Sequence, residues 1–330
     1  MTEKKRILSG MRPTGPLHLG NLHGALANWV EMQEQYDCFF FIADWHALTS
    51  DYEDPSSIAK YTREVLLDWL SSGLLPDKST LFVQSNIKEH AELYLILSMI
   101  TPVPWLERNP TYKDQIVQLS NKDLSTFGFL GYPVLQAADI IMYKAYGVPV
   151  GIDQVPHVEI TREIARRFNY FYGEIFPEPE SILTETPKIL GIDGRKMSKS
   201  YNNAVYFSDS PDKIESTVAK MLTDPQRARK NDPGNPDVCN VFEFHKLYSD
   251  RADVERINKE CRTAEIGCVE CKQIMSRYLI KALEPIREKR QYYQARPKLV
   301  DDIIADGCDK ARKVAQQTMA EVKQAITLAE

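Results

Sequence analysis

The run Cys38-Phe39-Phe40-Phe41-Ile42-Ala43 limits the possible folds of this chain more than any other stretch. A short, unbroken apolar run is expected of a strand buried on both faces of a parallel sheet. It ends at Asp44-Trp45-His46, polar groups at the carboxyl edge of a strand, where open α/β sheets bind ligands. Similar strands are read at Arg6-Ile7-Leu8-Ser9-Gly10, at Thr80-Leu81-Phe82-Val83-Gln84 and at Gly147-Val148-Pro149-Val150-Gly151. Helical spacing separates them. Leu22, Ala25, Leu26, Trp29 and Met32 recur at three and four residues, and comparable patterns cover 58–74, 89–99 and 158–168. Strands alternating with helices predict a doubly wound, Rossmann-type α/β domain with a parallel sheet.

At 330 residues the chain is long for one core, and the sequence divides at about 205. Residues 1–205 carry the α/β pattern, with a polar, irregular insertion over about 102–130 between the halves of the sheet. Pro177, Pro179 and Pro187 mark irregular connections after the fourth strand. Residues 206–330 show no strand pattern and read as an all-α domain. Its helices are placed at 211–222 (Ser210 as N-cap, Pro211 first), 240–248, 252–261, 269–293 and 308–329.

Composition narrows the function classes. A net charge of -5 argues against coating DNA or RNA by bulk electrostatics, while leaving room for a local basic surface such as the 223–236 loop with Arg227, Arg229 and Lys230. No apolar run spans the roughly 18 residues a membrane helix needs. The first six residues lead into a strand without a signal peptide's apolar region, so a cytoplasmic protein is expected.

Two polar loops carry the chemistry. The strand at 6–10 enters the Pro/Gly loop Met11-Arg12-Pro13-Thr14-Gly15-Pro16 and then a helix, so free backbone N–H groups face a potential phosphate. At that junction His18 can donate to a phosphoryl oxygen, and Gly20 permits close approach. Far along the chain, Lys196-Met197-Ser198-Lys199-Ser200 holds two lysines and no acid between turn-forming flanks. Each alone also fits an ordinary surface segment. Between them, Asp139 stands in an apolar helical stretch and needs a partner, whether a ligand, an Arg or a helix cap. Gly151-Ile152-Asp153 at a strand end suits a ribose.

Four of six cysteines, Cys239, Cys261, Cys268 and Cys271, form C-x21-C-x6-C-x2-C, a set able to ligate zinc or a 4Fe–4S cluster. Only one C-x-x-C pair is present, which favours the cluster over a two-knuckle zinc ribbon.

Taken together, these residues resemble a class I aminoacyl-tRNA synthetase. His18-Leu19-Gly20-Asn21 stands where that class has HIGH, and Lys196 to Ser200 is a full KMSKS. Met11 to Gly15, Tyr132 to Asp139 and GVPVGIDQVPHVEITREIARR over 147–167 resemble the tryptophanyl branch. The resemblance covers essentially the whole chain; Asn21 replaces the final His of HIGH, and an amide there still hydrogen-bonds a phosphate or ribose. It implies activation of L-tryptophan by Mg-ATP and transfer to tRNA(Trp). His18, Lys196 and Lys199 would be catalytic. Arg12, Pro13, Thr14, Gly20, Asn21, Gly151, Ile152, Asp153, Ile189 and the loop Lys196, Met197, Ser198, Lys199, Ser200 would hold ATP. Asp139 would accept the indole N–H, with Tyr132, Gln136, Gln154 and His46 around the amino acid. A subset of the branch carries a 4Fe–4S cluster in its anticodon-binding domain, to which the four cysteines are similar. There the cluster would order 263–267 and present Arg262 and Lys272 to the anticodon. The branch also implies a homodimer, with 102–130 as its interface. Tyrosine specificity, a small-molecule adenylyltransferase and a silent RNA-binding paralogue are the competing readings.

Overall fold

The computed structural model describes residues 4–118, 122–184 and 189–327. Its sheet is built from β1 (Arg6–Met11), β2 (Asp37–Ile42), β3 (Ser79–Val83), β4 (Gly147–Val150) and β5 (Glu180–Leu183). The strands are parallel throughout, in the order β3-β2-β1-β4-β5. This is the predicted doubly wound sheet, and its order reverses between β1 and β4. A ligand crevice opens at that reversal, outside the carboxyl ends of those two strands.

The apolar run in β2 alternates as a doubly buried strand must. Cys38, Phe40 and Ile42 enter one core with Ile7, Leu81 and Val83, whereas Phe39 and Phe41 enter the other with Leu8 and Phe82. After β1 the chain forms α1 (Leu19–Asn21), a π turn over Leu22–Leu26 and α2 (Ala27–Met32). The sequence predicts a plain helix here; the wider π turn instead presents Gly24 and Ala25 to the crevice. Next come α3 (Asp44–Asp51), which the sequence reading did not place, α4 (Ile58–Ser72) and α5 (Glu89–Ile100).

The segment expected to be irregular holds α6 (Val103–Arg108) and α7 (Pro110–Gln118), and α8 (Phe127–Met142) begins within it. Pro104 and Pro110 lie in first turns, where a missing N–H costs nothing. α9 (Val155–Tyr172) follows β4. β5 corrects the reading of 177–184 as irregular: it is a half-exposed edge strand without an apolar run. Pro187 lies outside the described residues.

The C-terminal region holds α10 (Pro211–Ala219), α11 (Asn240–Tyr248), α12 (Arg251–Arg262), α13 (Cys268–Gln294) and α14 (Pro297–Ala325). It is all-α among its described residues. Ser210 caps α10 as expected, accepting from Lys213 N. α14 starts well before the predicted position at 308 and includes Gly307, although glycine costs about 1 kcal/mol in a helix interior. A Cβ there would stand 1.8 Å from the Leu81 carbonyl oxygen of β3, so only glycine permits this approach. α14 thereby covers the edge strand. The cores do not divide at 205: Ile214, Phe244 and Met275 share one with Ile7 and Phe40, and Cys308, Ala311 and Ala315 share the other with Leu8 and Phe82.

Candidate active site

The crevice between β1 and β4 encloses about 420 Å³. Of the predicted residues, Arg12, His46, Tyr132, Gln136, Asp139, Gly151 and Gln154 line it. At its closed end Asp139 of α8 is fully buried. Its carboxylate accepts from His90 Nδ1 (2.6 Å), from His46 Nε2 (2.8 Å), and twice from Gln84 Nε2 (2.8 and 2.9 Å). Burial alone would raise its pKa, but the hydrogen bonds from His46 and His90 outweigh that and hold it below the usual carboxylate range. The partner is therefore neither Arg nor a helix cap.

His90 and Gln84 were missed by the sequence reading. Gln84 is the polar residue directly after the apolar end Leu81-Phe82-Val83 of β3, a signal that could have been used. His90 stands between Glu89 and Ala91 in the first turn of α5, and only the fold shows what it faces; its Nε2 meets the Tyr143 hydroxyl at 2.8 Å.

A second chain of contacts forms one wall. Tyr132 Oη lies 2.9 Å from His157 Nε2, and His157 Nδ1 lies 3.0 Å from Gln154 Oε1. Burial, then the nearby His46, push His157 down to about 4, so it is neutral at pH 7. In that state Nδ1–H donates to Gln154 and the Tyr132 hydroxyl donates to Nε2. Ile152 and Asp153 are exposed beyond this wall, and Asp153 accepts from Gln154 Nε2 (3.1 Å).

On the Arg12 side of the crevice, beyond the residues that line it, the two signature loops meet. A Cβ on Gly20 would stand 2.9 Å from His18 Nδ1 and 3.5 Å from Met197 Cβ, so this glycine lets the two loops close on each other. Lys199 Nζ donates to the Gly15 carbonyl (2.7 Å). Backbone pairing holds the arms together: Leu19 N donates to Val205 O (3.0 Å) and Phe207 N to Leu17 O (3.1 Å). His18 Nδ1 is buried with no hydrogen-bond partner among the described residues. Burial and the Lys199 charge press the His18 pKa down to about 4; burial presses Lys199 down to about 8, against the opposing field of Asp68.

Asn21 Oδ1 accepts from His18 N (3.1 Å), and Pro13 is buried while Thr14 is exposed. Ile189 is buried and its carbonyl accepts from Met197 N (3.0 Å). Lys196 is exposed, pairing through its backbone with Leu190. The turn-forming flank after the lysine loop anchors the loop at Asn203. That buried residue accepts from Ser198 N (2.8 Å) and donates to Asp193 Oδ1 (2.7 Å) and Lys196 O (3.2 Å).

The two loops that carry the sequence resemblance thus touch each other, beside a cavity that ends in a buried carboxylate. A family model described as tRNA synthetases class I (W and Y) matches residues 1–284. The tryptophan–tRNA ligase of Thermotoga maritima is 54% identical over 98% of this chain and 99% of its own. The chain belongs to the class I tryptophanyl-tRNA synthetases. The tryptophan–tRNA ligase of Aquifex aeolicus is 48% identical over 98% of this chain and 100% of its own. The crystal structure of the Campylobacter jejuni tryptophanyl-tRNA synthetase, complexed with ADP and tryptophan, superposes with a TM-score of 0.91 at 35% identity, covering 98% of this chain and 100% of that one. This synthetase joins L-tryptophan to tRNA(Trp), and the tyrosyl, adenylyltransferase and silent-paralogue readings fall. None of its described helices is long and apolar enough to cross a membrane.

The four cysteines of the synthetase are free thiols whose charges act on one another. Burial, then Cys239, Cys261 and Cys268, push Cys271 up to about 12. Backbone N–H groups of Phe242 and Val241 point at Cys239 Sγ, and Arg227 Nη1 lies 3.7 Å from Cys261 Sγ. Among the described residues, no group of three or more His, Cys, Asp or Glu could hold a single metal ion. Zinc would need four thiolates converging at about 2.3 Å from one centre. Arg262 and Lys272, expected to face the anticodon, have partners within the chain: Arg262 Nη2 pairs with Asp237 (2.8 Å) and Lys272 Nζ donates to Ala219 O (2.8 Å).

Proposed function

We propose that the two ends of the crevice divide the adenylation step between them. Tryptophan lies at the Asp139 end, with Tyr132, Gln136, Gln154 and His46 around it. Of the three side chains bonded to Asp139, His46 is the one that lines the cavity, so the indole N–H shares or takes its place on Oδ2. Mg-ATP lies across Arg12 to Thr14, Gly20, Asn21, Gly151 to Asp153, Ile189 and the 196–200 loop. The tryptophan carboxylate oxygen attacks the α-phosphorus, the bond to the β-phosphate oxygen breaks, and pyrophosphate leaves. The tRNA terminal ribose hydroxyl then attacks the activated carbonyl and AMP departs.

Charge grows on the phosphates, so positioning and electrostatics carry the rate. Neutral His18 donates to a phosphate oxygen, and the Lys199 ammonium, with Lys196, neutralises the leaving pyrophosphate. The observation that carries this reading is the Gly20 contact, which brings His18 and the lysine loop together across 178 residues of chain. ATP–pyrophosphate exchange with tryptophan tests it: His18→Ala and Lys199→Ala should both lose exchange, and wild-type rates in both would refute the assignment.

We further infer that Cys239, Cys261, Cys268 and Cys271 hold a 4Fe–4S cluster. A cluster keeps its thiolates farther apart than a single ion, and the N–H donors at Cys239 and Arg227 at Cys261 suit anionic sulfur. The group would cross-link the 239, 261 and 268–271 segments of the anticodon-binding region, 206–330. Iron and sulfide analysis after anaerobic purification should find four of each per chain; stoichiometric zinc, or no metal, would rule the cluster out. A homodimer through 102–130 and a cytoplasmic location complete the proposal. Apolar side chains left exposed there, Val103, Ile116, Val117 and Phe127, support the interface.

A further inference from the structure

A carboxylate sits buried in the middle of α4, outside both the crevice and the lysine loop. Asp68 is 1% exposed, and its Oδ1 pairs with Arg290 Nη1 of α13, a residue 5% exposed. The other guanidinium nitrogen, Nη2, pairs with Glu64 of α4. Such buried ion pairs contribute little net stability, since apolar residues of similar volume do as well, so the placement of this one needs another reason. Asp68 Oδ2 accepts from Leu17 N at 3.0 Å, the backbone amide just before His18.

His18 depends on that support. Its ring nitrogen Nδ1 finds no partner among the described residues, so its aim is set by the backbone around it. Leu19 on one side is tied to Val205, and Leu17 on the other is tied to Phe207 through its carbonyl and to Asp68 through its N–H. Removing Asp68 leaves a buried N–H unpaired beside the histidine.

We propose that Asp68, held by Arg290 of the C-terminal region, is a positioning residue that fixes His18 for adenylate formation. Asp68 touches no reacting atom; it acts through the Leu17 amide. The consequence is that the C-terminal helices set the geometry of the ATP site through one buried polar link.

This inference rests on the role proposed for His18, and a double-mutant cycle separates the two. The variant Asp68→Leu with Arg290→Met removes both charges of that pair, and Glu64, partly exposed on α4, keeps access to water. Its kcat for ATP–pyrophosphate exchange should fall about tenfold, with the KM for tryptophan within about twofold. Asp68→Asn with Arg290→Met, which restores an acceptor for Leu17, should recover most of the rate. In a His18→Ala background the apolar pair should cost no more than about twofold further. If the apolar pair does not fold, Arg290→Lys, lacking the planar fork, should show a smaller loss with the same non-additivity. A tenfold loss that persists in His18→Ala, or an unchanged kcat, overturns the inference. A wild-type rate in His18→Ala itself overturns the role of His18 instead.

Discussion

The two ends of the crevice are built on opposite plans. At the Asp139 end the protein satisfies itself: four hydrogen bonds from three buried side chains meet one carboxylate, and Tyr132, His157 and Gln154 complete a closed chain. At the lysine end it does not. Among the described residues His18 Nδ1 has no partner, and half-buried Lys199 donates to the Gly15 carbonyl with its pKa pressed down. A pocket for a neutral indole can be preorganised completely, because its ligand brings one N–H. A phosphate site keeps under-compensated donors, because the missing charge arrives with the nucleotide.

Variants should therefore part by end. Lys199→Ala should lower kcat for pyrophosphate exchange by about 10²–10³, the cost of losing one donor to a developing oxyanion. Steady-state kinetics at varied ATP and tryptophan checks this. Asp139→Asn should raise the KM for tryptophan by roughly tenfold or more, as expected for losing a hydrogen bond to a charged group at about 1.5–3 kcal/mol. Its kcat should change less.

Dependence on pH sharpens the contrast. Lys199 is protonated below about 8, and its positive charge is lost as pH rises through that value. The ratio kcat/KM for ATP reports the free enzyme and should fall along an alkaline limb near pH 8. Lys199→Arg should remove that limb; its survival would exclude Lys199 as the titrating group. The smallest effect concerns stability. His18 and His157 are held neutral with pKa values near 4, below the unfolded value, so each adds stability above about pH 6.5 that is lost as pH falls toward 4. His18→Gln, which cannot take up the proton, should reduce the acid-induced fall in melting temperature between pH 7 and pH 5. An equal fall in both proteins would place the effect elsewhere.

The contrast also explains what the sequence could reveal. Strands β1 to β4 were legible because apolar runs report burial on both faces, and the loops at His18 and Lys199 because few other uses suit such residues between turn formers. β5 was hidden, since a half-exposed edge strand has no such run. The helices in 102–130 were hidden by first-turn prolines that look like breakers. At the site, Asp139 was visible as an acid in an apolar helix, but its partners lie 93, 55 and 49 residues away at His46, Gln84 and His90. Asp68 and Arg290 are 222 residues apart, and nothing local marks them as partners.

The most direct test sets Lys199→Ala beside Asp139→Asn in one ATP–pyrophosphate exchange assay, with kcat and tryptophan KM measured for each. The division of labour predicts that Lys199→Ala loses kcat at a tryptophan KM within about twofold of wild type, while Asp139→Asn loses chiefly in KM. A Lys199→Ala enzyme with normal kcat and a raised tryptophan KM would contradict it.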